Sequence, residues 1–129
     1  MSKKLPTESQ EQAAVVSWFD LQYPKLSLHL FAVPNGAWLA GSSRQRAALV
    51  NKMKKEGMRS GVPDLVLAIP RGGYHGLFIE MKRSKGGTVS EQQKKYMATL
   101  NEHGYLATVC RGSGSAIDEI KNYLEGAAE

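Results

Sequence analysis

Asp64 follows Pro63 at the head of the apolar run Leu65–Ile69, and Glu80, Met81 and Lys82 close the next apolar run, Gly76–Ile79. In a strand, residues i and i+2 share a face, so Glu80 and Lys82 point one way and Met81 the other. Charge at the end of an apolar strand is costly unless it is paired or holds a metal. If the two runs pair as a hairpin in ordinary register, the start of the first lies near the end of the second, and Asp64 comes beside Glu80. Carboxylates at close range repel each other, and a divalent cation resolves the repulsion. Oxygen donors without Cys or His favour Mg²⁺ over zinc. Lys82 beside the ion could position a water or help deprotonate it. Those are the parts that phosphodiester hydrolysis needs. Glu-x-Lys alone is a common tripeptide, and its ordinary reading is a surface ion pair, with Asp64 a turn residue.

The elements that must position these groups are legible in the chain. Thr7 can cap a helix running to about Gln22, with Gln10 as its capping-box partner and Pro24 as its stop. Ser27–Val33 reads as a strand, ended by the turn signal Pro34-Asn35-Gly36. Ser43–Glu56 reads as a second helix with a basic face, closed by Gly57. Gly61–Ile69 is a turn running into an apolar strand. Pro70–Gly73 breaks it, and Tyr74–Arg83 is the next strand, so the two form a hairpin. Ser90 caps a third helix through about Glu102, with Gln93 completing another Ser-x-x-Gln box. Tyr105–Cys110 is a strand and Ser115–Leu124 a final helix. This order describes an α/β sandwich in which antiparallel strands precede a helical crossover.

Composition narrows the partner. The 129 residues suit one domain and contain no apolar stretch long enough to span a membrane, nor a signal peptide, so a cytoplasmic location is expected. The single cysteine, Cys110, excludes an intramolecular disulfide and lies in an apolar strand, where a buried, inert thiol is expected. Net charge is +5, but it is unevenly spread. Residues 41–95 hold twelve Lys/Arg and four acids, a net +8, while the rest of the chain carries −3. A basic middle with acidic ends suggests a phosphate-facing surface.

Gly61-Val-Pro-Asp-Leu65, Phe78-Ile-Glu-Met-Lys-Arg83, Gly86 and Ser90-Glu-Gln-Gln93, in this order, resemble the PD-(D/E)XK nuclease superfamily. Within it the chain resembles the VRR-NUC family, in its small stand-alone phage and bacterial form, from Thr7 to Leu124. The resemblance implies a single nuclease domain over residues 1–129 (core about 7–124) with a restriction-endonuclease-like αβββαβ core, a mixed central sheet flanked by helices. It implies that Asp64 and Glu80 ligate the metal with the Met81 backbone carbonyl as a further ligand, that Lys82 serves the water, and that Gln93 supports the site. The family also places a Glu followed by a Gln one turn later on the first helix. Glu8 and Gln12 match that spacing, with Glu8 touching the metal directly or indirectly, and Glu11 is the rival. Asn35-Gly36 resembles a family turn near the site, and is equally an ordinary turn.

The activity expected is therefore that of a Mg²⁺-dependent DNA endonuclease, with Mn²⁺ as a substitute ion. The family resembles Holliday-junction resolvases in fold and includes structure-specific nucleases. A chain this small has no separate module for base readout, so branched, flap or junction DNA is the expected substrate. A homodimer would present paired sites to two strands. The host is a bacterial or phage-infected cell. The alternatives are a non-catalytic nucleic-acid-binding module, or a nuclease subunit active only within a recombination, packaging or restriction complex. Arg44, Arg46, Lys52, Arg83 and Lys85, with Asn35, are the candidate DNA contacts. His29 and His75 read as structural histidines on apolar strands, His103 as a partner of a helix C-terminus, and Trp18 and Phe19 as core. Trp38 has three readings: core packing, a subunit contact, or a stack on an unpaired base.

Overall fold

Three of the four helices start in the same way. Thr7, Ser42 and Ser90 each accept a hydrogen bond from the backbone N–H three residues on, and Gln10, Gln45 and Gln93 each reach back to the cap's own N–H. Each box satisfies two of the N–H groups that a helix start leaves open. The computed structural model describes residues 4–34 and 41–126. The elements are α1 (Glu8–Gln22), a 3-10 turn (Ser27–His29), β1 (Leu30–Ala32), α2 (Ser43–Lys55), β2 (Leu65–Leu67), β3 (Leu77–Lys82), α3 (Glu91–Glu102), β4 (Leu106–Arg111) and α4 (Ser113–Glu125).

The expected order of helices and strands is present, as an α/β fold with a mixed sheet in the order β1-β2-β3-β4. β1 with β2 and β2 with β3 pair antiparallel, while β3 and β4 are parallel, joined by α3. A parallel pair needs such a crossover. The strands are shorter than the apolar runs suggest. Ser27–His29 winds into a 3-10 turn, so only Leu30–Ala32 pairs in β1. His29 and His75 lie outside the strands and are exposed, which corrects their placement on strands. His75 instead packs edge-on against Tyr105, and its backbone N–H bonds the Gly104 carbonyl.

Alternation sorts the sheet into two faces. Leu65, Leu67, Leu77, Ile79 and Met81 join Val15 and Phe19 of α1 and Ala116, Ile120 and Tyr123 of α4 in the apolar core. Trp18 packs at its margin, Phe19 is fully enclosed, and Tyr123 anchors α4 through a hydroxyl bond to the Ile69 carbonyl at 2.6 Å. Val66, Phe78, Glu80 and Lys82 occupy the alternate positions, on the side where α3 brings Gln93 to Glu80. Cys110 is buried and free, and burial pushes its thiol up to about 11, as an inert thiol requires. α2 stands apart: it buries none of its residues. No helix among the described residues is long and apolar enough to cross a membrane.

Gly61 fastens the loop before β2 to α3. Its φ is +86°, and a Cβ there would lie 2.8 Å from the Gln92 backbone oxygen. Gly61→Ala should therefore cost about 2 kcal/mol or more through left-handed strain and a clash with backbone that cannot yield. A thermal melt indistinguishable from the parent protein would contradict this.

Candidate metal centre

The β2–β3 register decides the centre. Leu65 faces Ile79, so the next step out of the ladder sets Asp64 level with Glu80. Asp64 is oriented by the backbone, since the Met81 N–H donates to its Oδ2 at 2.7 Å. The Met81 side chain meanwhile sits in the core on the other face, fully buried. Asp64, Glu80 and Glu8 each offer a carboxylate oxygen within 4.8 Å of the others. Glu11 does not join them. It is buried elsewhere, with Oε2 3.0 Å from where a Cβ of Gly112 would stand, at the start of α4. The helical turn between Glu8 and Glu11 sends one carboxylate to the centre and the other to the α4 N-terminus, where a negative charge is favoured.

Glu80 is only 1% exposed and Lys82 only 7%, so the pair is no surface ion pair. Lys82 Nζ lies 3.5 Å from Glu80 Oε2, and Gln93 Nε2 donates to that same oxygen at 3.0 Å. Gln93 has two jobs: its Oε1 accepts from the Ser90 N–H at 2.9 Å, closing the capping box of α3. The cap thus locks the amide whose other end holds Glu80. Burial, then the charge of Asp64, push the Glu80 carboxyl up to about 8 against the opposing pull of Lys82.

The other Glu80 oxygen, Oε1, is buried without a hydrogen-bond partner, the one such side-chain atom among the described residues. Native proteins rarely leave a buried carboxylate oxygen unmet. An unmet oxygen beside two further carboxylates, with no sulfur or imidazole among them, is a donor set that suits a hard divalent cation. The residues present therefore fit a metal.

The loop after β3 is also held. Arg111 donates to the Gly86 carbonyl at 2.7 Å and to that of Gly87 at 3.3 Å, and a Cβ on Gly87 would meet the Lys82 stem at 3.6 Å. Arg83 and Lys85 lie exposed on this loop, and Arg44, Arg46 and Lys52 lie exposed on α2. Lys52 is engaged with Glu56 at 3.7 Å. Asn35, Gly36 and Trp38 lie outside the described residues. Sequence reasoning missed Arg111 and also Lys54 and Arg59, two cations that share a cleft with Asp64 and Gln93. The position of Arg59 just before Gly61-Val-Pro-Asp64 was the available signal.

An α/β fold that carries Asp, Glu-x-Lys and a helix carboxylate around one point on a hairpin defines a nuclease-type protein. The VRR-NUC domain family matches residues 6–114, and the chain belongs to that family. A solved structure described as a VRR_NUC domain protein is similar over 95% of this chain and 91% of its own, at 30% identity and a TM-score of 0.78. No curated protein matches.

Proposed function

We propose that this protein is a divalent-metal-dependent DNA endonuclease, with Mg²⁺ as the working ion and Mn²⁺ as its substitute. The observation that carries this reading is the buried Glu80, grouped with Asp64 and Glu8 and with its Oε1 unmet. Asp64 and Glu80 hold the ion, the Met81 carbonyl adds a ligand, and Glu8 completes the set directly or through water. When bound, the ion polarises the phosphoryl oxygen and lowers the pKa of a water. Lys82 orients that water and balances the charge of Glu80, and Gln93 holds Glu80 in place. The nuclease core is one domain of residues 7–124 within the 1–129 chain.

The substrate is DNA with branched, flap or junction structure, cut by a homodimer in the cytoplasm of a bacterial or phage-infected cell. The test is incubation of the purified protein with forks, flaps, four-way junctions and linear duplex, with and without Mg²⁺ or Mn²⁺. Metal-dependent cleavage of a branched substrate supports the proposal, and no cleavage of any DNA removes it. The basic middle segment brings phosphates to an acidic centre that would otherwise repel them. Binding in Ca²⁺ should therefore weaken steeply with salt, log K falling by roughly 0.9 per log salt for each phosphate neutralised. A flat dependence would count against a phosphate-facing surface.

A further inference from the structure

A cleft opens directly beside the metal centre. Its inner hollow, about 220 Å³, is lined by Asp64, Gln93, Lys54, Arg59 and Ser60 among others. A second hollow of about 470 Å³ shares its walls at Pro34, Met58 and Arg59 and continues outward to Met53 and Tyr96. Asp64, Gln93 and Lys54 line the inner hollow, Met53 and Tyr96 line the outer one, and Arg59 and Met58 line both, so cationic and apolar groups share one cleft. Glu56 lies at the outer hollow, paired with Lys52 at 3.7 Å, so its charge is partly offset.

Arg59 is fixed in this wall. Its guanidinium donates to the carbonyls of Lys54 at 3.0 Å and Met58 at 3.3 Å, tying the end of α2 to the loop that leads into β2. The opposite wall is fixed as well, because Gly61 is seated against the Gln92 backbone. The cleft is therefore built by the fold between α2 and α3.

Resting on the nuclease reading, we propose that this cleft holds one unpaired nucleotide of the DNA, next to the bond that is cut. Lys54 and Arg59 take its phosphate and Tyr96, with Met53 and Met58, takes its base. Cations set against carboxylates select a phosphate-bearing ligand. A ring and polarizable sulfurs select a flat apolar partner, and every base offers a π-face. A base in an intact duplex stays in its stack, and extruding it costs a few kcal/mol that an already unpaired base does not incur. The cleft therefore selects DNA that is unpaired at the cut, and it supplies a physical reason for a preference for flaps and branches.

The experiment places 2-aminopurine in turn at each position flanking the cut site of a flap substrate, with the protein bound in Ca²⁺. Quenching is expected at one position, kept by Tyr96→Phe and lost in Tyr96→Leu. Tyr96→Leu should also weaken the preference for unpaired over fully paired DNA about tenfold. Lys54→Gln, on an exposed side chain, should weaken flap binding severalfold at unchanged thermal stability. If the complex forms and no position is quenched, if Tyr96→Leu quenches as well as the parent, or if Lys54→Gln binds as tightly, the cleft is not the nucleotide site. Those results would leave metal-dependent cleavage by the parent protein standing. Absence of any cleavage would instead overturn the nuclease reading beneath it.

Discussion

Glu80→Gln is expected to abolish metal-dependent cleavage, by a factor of at least about a thousand, while leaving the fold intact and DNA binding in Ca²⁺ measurable. The substitution keeps the shape and removes one metal-ligating carboxyl from a group of three. Burial holds the metal-free Glu80 carboxyl neutral up to about pH 8, and the amide reproduces that neutral shape. The metal-free variant should thus melt with the parent below about pH 8 and at a higher temperature than the parent above it. Loss of activity with retained or raised stability is the signature of a residue kept for chemistry. Lys82→Ala should lose cleavage to a similar degree for a different reason. It removes the cation 3.5 Å from Glu80 that balances the carboxylate once its proton is released. Substantial cleavage by either variant would refute the assignment of the site.

The second large effect is on pH. Burial, and then the neighbouring Asp64, raise the Glu80 carboxyl to about 8, far above its value in an unfolded chain. The folded protein therefore holds a proton that the unfolded chain has already released. For this group, the metal-free protein is most stable below the ordinary carboxylate range and loses stability as pH rises through about 8. The slope between those limits approaches ~1.4 kcal/mol per pH unit. Metal binding runs the other way, because a cation must displace that proton. Apparent affinity for Mn²⁺ should climb by close to tenfold per pH unit and level off above about 8. Calorimetric titration in buffers of different ionisation enthalpy would count the proton released. Affinity that is flat from pH 6 to 8, or unchanged in slope by Glu80→Gln, would show that Glu80 does not carry it.

Much of this molecule is legible before any coordinates. The capping boxes at Thr7 and Ser90 are local chemistry, written within four residues, and both helices begin where they indicate. The β2–β3 hairpin is legible because its two apolar runs flank a glycine turn. Strand lengths are less so. An apolar run such as Tyr74–Ile79 looks alike whether or not its backbone pairs, and only six residues, Leu77–Lys82, join the ladder. The histidines failed for a related reason. An apolar neighbourhood in sequence does not show where the chain joins or leaves the sheet, and it leaves it at His29 and His75.

What the sequence determined by itself was the kind of centre: carboxylates and a lysine at the ends of neighbouring strands, in a basic segment, in the order of a known nuclease family. The residue types restrict the chemistry whatever the fold does in detail. The tertiary structure decided the rest, because packing between elements distant in the chain has no local signature. It separated Glu8, which joins Asp64 and Glu80, from Glu11, which packs against Gly112 at the start of α4. It left one Glu80 oxygen unmet and gave the other to Gln93 and Lys82. It also set Lys54, Arg59 and Tyr96, which no motif singles out, around one cleft that opens on Asp64.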